Sequence, residues 1–168
     1  MGTLDKDIQE LRTRLRGGAI QRAYRGIVST MSHLRTVFAA QQGERAVSGL
    51  YQGCFDMTYF ALFPEALKRR NLKLAIVFNY QTFRFEVWLA ARNRQLQRRY
   101  WELLLDAGYE KHRLVKPGMG VDAIVEAVLA ADYSLDAADR LTAEIVEGVA
   151  VFERGIVAFL DEVDPQKN

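Results

Sequence analysis

Apolar and polar residues alternate most regularly over residues 72–89, and this pattern predicts a β-hairpin. Every second residue in each half is apolar or aromatic, and residues 81 and 82 lie between the halves. A loop of two or four residues brings Phe78 opposite Phe85, and Tyr80 then comes opposite Phe83. Because every pair on this face is apolar, the pattern fixes the register of the hairpin.

The opposite face of the predicted hairpin carries polar, charged and aromatic side chains. The same register pairs Asn79 with Arg84, Val77 with Glu86 and Ala75 with Trp88. Lys73 lies diagonal to Trp88, close enough for its ammonium group to lie over the indole ring. This mixed face is therefore either a solvated surface or a site.

Apolar residues at helical spacing predict four long helices and one short helix. The long helices cover residues 4–15, 20–41, 93–107 and 136–164, and the short helix covers residues 65–70. Gly17 and Gly18 end the first helix, and Gly43 is the expected end of the second. Pro64 fits the first turn of the short helix, where its missing N–H costs little.

Further strands are predicted before and after the hairpin. Residues 55–63 are apolar on both sides, which is typical of a strand buried on both faces or packed under a helix. Residues 123–131 fit a helix or a strand, and their β-branched content favours a strand. Residues 109–115 are a candidate for a short strand.

The order of these elements, ααβ(α)ββαβα, predicts a single α+β domain over residues 1–168. We expect an antiparallel sheet of about four strands, with long N- and C-terminal helices packed on it. A hydrophobic content of 49% suits one core of this size. No apolar run is long enough to span a membrane, and residues 1–7 lack a signal-peptide core, so a cytoplasmic location is expected.

Charge is distributed unevenly along the chain. Residues 68–99 carry nine basic residues and one acid, a net charge of +8, and residues 117–168 carry a net charge of −8. The two blocks either neutralise one another across the fold or leave the basic block to face a polyanion. Mutual neutralisation or a solvated face is the favoured interpretation, so nucleic acid is the less expected partner.

Several segments show a likeness to known proteins. The segments "DMTYF", "LKLAIVFNY", "RFEVWLA", "NRQLQRRYWELL" and "GVDAIVEAVLA" resemble an uncharacterised bacterial family of stand-alone single-domain proteins. The resemblance covers nearly the whole chain and implies one compact cytoplasmic domain, but no chemistry. A second, short likeness joins "FEVWLAARNRQLQRRYWELL" to the accessory domains of some bacterial endonucleases, and it serves only as an analogy.

The residues argue against the common catalytic and metal sites. A restriction-type nuclease needs two carboxylates and a lysine in the pattern Glu-x-Lys, and Asp56 and Glu86 are candidate carboxylates. Trp88 stands where that lysine should be, so this interpretation is disfavoured. His33, His112 and Cys54 are far apart in sequence, so no metal site is expected, and no feature indicates a cofactor.

The remaining polar groups have structural interpretations. Cys54 cannot form an internal disulfide and is expected to be a small buried side chain rather than a nucleophile. His33 is expected to be partly exposed, and His112, beside Lys111 and Arg113, is expected to be solvated.

The mixed face of the hairpin is the candidate site. The candidate ligand-binding residues are Arg84, Glu86, Trp88, Asn79, Tyr59 and Asp56. In a binding site, Arg84 would fix an anionic or carbonyl group, Glu86 would orient Arg84 or accept a donor, and Trp88 would stack on the ligand. On a solvated face, Arg84 and Glu86 would form a surface ion pair worth under about 1 kcal/mol, with Trp88 packed beneath a long helix.

Two functions follow from these patterns. The first is a non-enzymatic domain that binds a small molecule or a protein through the mixed face. The alternative is a nucleic-acid-associated protein, with or without nuclease character, that uses the basic helix residues Arg92, Arg94, Arg98 and Arg99. Opposite charge blocks and apolar strand edges also allow a homodimer.

Overall fold

The fold consists of helices and one antiparallel sheet. A computed structural model describes residues 2–41 and 46–165. The helices are α1 (Thr3–Arg16), α2 (Ala19–Ala40), α3 (Glu65–Lys68), α4 (Arg94–Asp106) and α5 (Ala138–Val163). The strands are β1 (Ala46–Val47), β2 (Tyr51–Gln52), β3 (Met57–Phe63), β4 (Leu72–Asn79), β5 (Arg84–Ala91), β6 (Arg113–Leu114) and β7 (Ala123–Ala130). The predicted α+β fold class is confirmed. Gly43, the expected end of the second helix, lies outside the described residues.

The sheet contains more strands than the sequence predicts. Its order is β1-β3-β4-β5-β7-β6, β2 also pairs with β3, and every pairing is antiparallel. The four long strands β3, β4, β5 and β7 match the prediction of about four, but the described sheet has seven strands, so that count was wrong. The three additional strands have two residues each, which is too short for alternation to show, although β6 lies within residues 109–115, the candidate short strand.

The predicted register of the hairpin is confirmed. Phe78 pairs with Phe85, Val77 with Glu86 and Ala75 with Trp88. The loop covers residues 80–83, which is the four-residue alternative, and the rings of Tyr80 and Phe83 lie 6.4 Å apart within it. Phe83 has a left-handed backbone with φ of 52°, which is unusual for a residue other than glycine.

The first face of the sheet, which holds the apolar residues of the hairpin, forms the core with α2 and α5. On this face the side chains of Leu74, Ile76, Phe78, Phe85, Val87 and Leu89 are fully buried. The ring of Phe38 on α2 lies 5.9 Å from that of Phe60 on β3, and Gly148 on α5 sits directly against Leu129 on β7. The long helices therefore cover one face of the sheet.

Helix α1 does not take part in this core. None of its residues is buried, and its contacts are mainly with α2. The prediction that long helices at both ends pack on the sheet is therefore correct for α2 and α5, and wrong for α1. In residues 2–41 and 46–165, no helix is both long enough and apolar enough to cross a membrane.

Polar contacts fasten α3 and α4 to the end of α5. The buried guanidinium of Arg70, just after α3, donates to Asp161 Oδ1 at 2.7 Å and to the Asp164 carbonyl at 3.1 Å. The Tyr100 hydroxyl on α4 donates to Asp164 Oδ2 at 3.1 Å. These contacts fix α4, and with it the end of β5, against the core.

Candidate functional site

The second face of the sheet, opposite α2 and α5, is partly open to solvent. Along β4 and β5 it consists of Lys73, Ala75, Val77, Asn79, Arg84, Glu86, Trp88 and Ala90, the positions that alternate with the core residues. Trp88 is half-buried and Arg84 is exposed, whereas the neighbouring core residues have no exposed surface. Trp88 therefore does not pack beneath a long helix.

A small groove lies on this second face, and we call it the second-face groove. Its volume is about 200 Å³, and it is lined by Met57, Tyr59, Lys73, Ala75, Val77, Trp88, Ala90, Ala91, Arg92 and Asp122. Ala75, Val77 and Ala90 are buried and form the floor, while Tyr59 and Trp88 are half-buried and form the walls. A flat apolar floor between two aromatic walls is suited to a planar group.

Larger hollows elsewhere are less suited to a ligand. One of about 420 Å³ lies at the start of α5, and another of about 480 Å³ lies beside α2. Most of the residues around both hollows are exposed and polar. Binding sites typically combine an apolar lining with a few placed polar groups, and the second-face groove fits that description better.

The carboxylate of Glu86 holds the Trp88 side chain in place. The indole N–H of Trp88 donates to Glu86 Oε2 at 2.9 Å, and the Thr82 hydroxyl donates to Oε1 at 3.1 Å. The Asn79 amide is 3.5 Å from Oε2, at the outer limit of a hydrogen bond. Since Glu86 is only 7% exposed, these donors replace water around its charge, and the indole ring is fixed at the groove wall.

The predicted relation between Arg84 and Glu86 is wrong. Within the described ranges, no hydrogen bond or ion pair joins Arg84 to Glu86, and Arg84 points into solvent at the end of the loop. Asp56 is also exposed, and its Oδ1 accepts the backbone N–H of Met57 at 2.7 Å. Neither Arg84 nor Asp56 lines the groove, and Lys73 on the neighbouring strand pairs with Ala90 and not with Glu86.

The six predicted ligand-binding residues therefore separate by position. Tyr59 and Trp88 line the groove. Glu86 accepts a hydrogen bond from Trp88, and Asn79 lies beside Glu86. Arg84 and Asp56 lie outside the groove. Sequence reasoning missed Thr82, because it lies in the loop, where alternation gives no direction for its side chain. It also missed the alanine floor, although alternation places Ala75 and Ala90 on the same face as Trp88.

Positive charge dominates the rim of the groove. Lys73 and Arg92 both line it, and neither forms an ion pair in the part of the chain that the structure describes. Asp122, the one carboxylate in the lining, is already paired with Arg94 at 3.1 Å. Lys73 lies diagonal to Trp88 as predicted, but its ammonium group does not lie over the indole ring. The groove therefore favours an anionic group at its rim.

The arginines of the predicted nucleic-acid surface have different roles. Arg94 donates to Gln97 Oε1 at 2.9 Å and to the carbonyl of Val121, in addition to pairing with Asp122. Arg99 lies 3.4 Å from Asp164 and over the Tyr100 ring. Arg92 lines the groove and Arg98 is exposed. Two of the four are thus used to hold the fold together.

Histidine and cysteine differ in part from their predicted environments. Cys54 is exposed, so its predicted burial is wrong; it lies in the bend between β2 and β3, outside the alternating strand. His33 is exposed, while His112 is half-buried against the Phe152 ring at 5.0 Å rather than solvated. Across residues 2–41 and 46–165, no three His, Cys, Asp or Glu side chains are grouped so as to hold a metal ion.

Comparison with known proteins identifies a family but no activity. Neither the curated proteins nor the solved structures gave a match. One family, described as "Domain of unknown function (DUF7000)", matches residues 4–160, which is most of the chain. The sequence-based resemblance to an uncharacterised family is therefore confirmed. The chain belongs to the DUF7000 family of domains of unknown function.

Proposed function

We propose that the protein binds a small ligand in the second-face groove and does not catalyse a reaction on it. The observation that carries this proposal is the Trp88 indole, held at the groove wall by the buried carboxylate of Glu86 at 2.9 Å. Burying a carboxylate without a cation opposes folding unless hydrogen bonds compensate for the lost water. An indole fixed in this way loses little side-chain entropy when a ligand stacks on it.

The lining of the groove indicates the chemistry of the ligand. Ala75, Val77 and Ala90 leave room for a flat apolar body, on which Trp88 and Tyr59 can stack. Lys73 and Arg92 would attract a carboxylate or phosphate at the rim. The volume of about 200 Å³ is below the usual range for drug-sized ligands, so the bound group is small. We infer a planar, anionic small molecule.

Fluorescence of Trp88 gives a direct test. The chain has two tryptophans, and Trp101 on α4 does not line the groove. In a Trp101→Phe variant, emission therefore reports on Trp88 alone. Titration with benzoate and phenyl phosphate should change this emission in a saturable way, whereas benzamide, which has no charge, should bind more weakly. The matched Trp88→Phe variant, which keeps Trp101, should show no saturable change.

A blocked groove is the control for specificity. Ala75→Leu, made in the Trp101→Phe background, fills the floor from β4, directly opposite Trp88, and Ala90→Leu fills it from β5. Circular dichroism checks that each variant remains folded. Binding should be lost in both. If no compound in the panel changes Trp88 emission, or if the change persists in both blocked variants, the proposed function is wrong.

Nucleic-acid binding remains the alternative function, supported by the exposed side chains of Arg92 and Arg98. It makes a different prediction, because phosphate contacts release counterions and weaken steeply with salt. Oligonucleotide binding that falls steeply with salt, is reduced by Arg98→Ala and is unaffected by Ala75→Leu would favour this alternative over the groove.

A further inference from the structure

We propose that α1 is a self-association surface, which pairs antiparallel with α1 of a second copy of this chain. The helix carries an apolar stripe of Leu4, Ile8, Leu11 and Leu15. The exposed fractions of Leu4, Ile8 and Leu11 are 70%, 52% and 53%, and no residue of α1 is buried. This inference is independent of the second-face groove.

The spacing of the stripe is that of a helix pair. Steps of four, three and four residues separate Leu4, Ile8, Leu11 and Leu15, as in alternating d and a positions of a heptad repeat. Such a stripe faces one partner helix along a single seam. An isolated helix of 14 residues is marginal in water, and packing of its apolar face normally stabilises it. A partner that covers the stripe is therefore expected.

The charges beside the stripe favour a second copy in antiparallel orientation. Asp5 and Asp7 flank the N-terminal half of the stripe, at e and g positions, and Arg12 and Arg14 flank the C-terminal half. Antiparallel pairing puts Leu4 opposite Leu15 and Ile8 opposite Leu11 of the other copy. Each acid then faces an arginine of the other copy, Asp7 with Arg14 and Asp5 with Arg12, and two-fold symmetry repeats both pairs.

Neither the helix dipole nor a contact within α1 explains why the acids and arginines of α1 lie beside an exposed apolar stripe. Acids near the start of a helix and bases near its end suit the helix dipole, but the dipole does not require an apolar stripe. Arg14 also lies 2.7 Å from Glu10 within the helix, and Asp5 Oδ2 accepts the backbone N–H of Gly2 at 3.1 Å at its start; Arg14 and Asp5 are both exposed, so these contacts leave them accessible. In a parallel pair, Asp7 would face Arg12, and Asp5 and Arg14 would have no opposite partner across the seam. The antiparallel pair satisfies all four charges.

Sedimentation velocity of the full chain over a range of concentrations tests the proposal. We expect a monomer–dimer equilibrium in the wild-type protein. Ile8→Glu/Leu11→Glu should give a monomer at every concentration. Because neither side chain is buried, the variant should keep the circular dichroism spectrum of the folded domain. Lys6→Glu, on the exposed side of α1 away from the seam, is the matched charge control and should dimerise like the wild type.

A charge exchange tests the orientation. Asp7→Arg alone and Arg14→Asp alone should each weaken the dimer at least tenfold, because each creates like-charge pairs across the seam. The double variant Asp7→Arg/Arg14→Asp should restore it only in the antiparallel arrangement, since in a parallel pair the arginine introduced at position 7 would meet Arg12. A monomeric wild type, a dimer that survives Ile8→Glu/Leu11→Glu, or a double variant that is not restored would each overturn the proposal.

Discussion

Two buried tyrosines differ in whether the hydroxyl has a partner. The Tyr100 hydroxyl donates to Asp164, whereas the Tyr109 hydroxyl has no hydrogen-bond partner in the described residues. Burial raises the pKa of each to about 12, and for Tyr100 the charge of Asp164 adds to this effect. Both hydroxyls therefore keep their protons at neutral pH.

Replacing each tyrosine by phenylalanine should change the free energy of unfolding differently at the two positions. Tyr100→Phe should lower the free energy of unfolding by about 1 kcal/mol or more, because it leaves Asp164 without this donor. Tyr109→Phe should leave it unchanged or raise it, because no hydrogen bond is lost and a polar atom leaves an apolar site. Urea unfolding at neutral pH measures both. Equal destabilisation by the two substitutions would contradict this difference.

His112 makes stability depend on pH. Burial, together with the nearby charge of Lys111, lowers the pKa of His112 below its ordinary value of 6.5. The unfolded chain then takes up a proton at a higher pH than the folded protein does. Stability should therefore fall as the pH decreases through 6.5 toward the folded pKa, and should not depend on this group well above 6.5.

The effect of His112 can be isolated with a matched histidine. His112→Gln should flatten the dependence of the melting temperature on pH between about 7 and 5. His33→Gln, at an exposed histidine, is the control for replacing a histidine as such, and the slope of His112→Gln is compared with it. A slope that is the same in His112→Gln and in the wild type would assign the pH dependence to other groups.

At the scale of elements, alternation predicted the hairpin well because one of its faces is entirely apolar. A slip of one residue would move Phe78 and Phe85 out of the core, so few registers were compatible with burial. The side chains on the other face were harder to place. Arg84 follows Phe83, whose left-handed backbone turns the chain, and the alternation gives no direction for a long flexible side chain there.

Short and irregular segments were predicted less well for a related reason. Strands β1 and β2 have two residues each and pair with β3, and their sequences show no alternation, whereas β6 lies within residues 109–115, the candidate short strand, of which only Arg113 and Leu114 pair with β7. The second-face groove likewise depends on small side chains from two strands lying next to one another. Its walls, Tyr59 and Trp88, were among the predicted residues, whereas its floor and the positioning contact from Thr82 required the structure.

Glu86 should stabilise the end of the β4–β5 hairpin through its three neighbours. In Glu86→Gln, the single carbonyl oxygen can still accept from Trp88, and Thr82 must turn its hydroxyl to accept from the new amide; the negative charge that strengthens both hydrogen bonds is lost. We expect the free energy of unfolding to fall by about 1–2 kcal/mol. In the Trp101→Phe background, Trp88 emission should also shift as the ring becomes less fixed. Asp56→Asn, at an exposed carboxylate, is the control; an equal effect there would argue against a special role for Glu86.

At the scale of the whole molecule, the unequal charges of the sequence are partly used inside the fold. Arg70 with Asp161, Arg99 with Asp164, and Arg94 with Asp122 each join the basic block to the acidic block. These pairs support the interpretation that the blocks neutralise one another. The expectation of a single domain over residues 1–168 stays a prediction.

The remainder of the described fold should not require α1. No residue of α1 is buried, and Gly17 and Gly18 separate it from α2. A chain lacking residues 1–16 should therefore unfold in urea with nearly the same midpoint as the full chain, when both are measured at concentrations low enough to keep them monomeric. A midpoint lowered by more than about 1 M, which for a small domain corresponds to about 1–3 kcal/mol, would show that α1 contributes to the core.

The edges of the sheet bear on how the protein avoids aggregation. The outer side of β3 is occupied by β1 and β2, and β6 occupies only part of β7. Along the uncovered part of β7, the pairing with β5 skips Leu129, which is the mark of a β-bulge. A bulged, twisted edge is a poor template for another strand. We therefore expect the edges of the described sheet to resist the strand-by-strand growth that leads to amyloid.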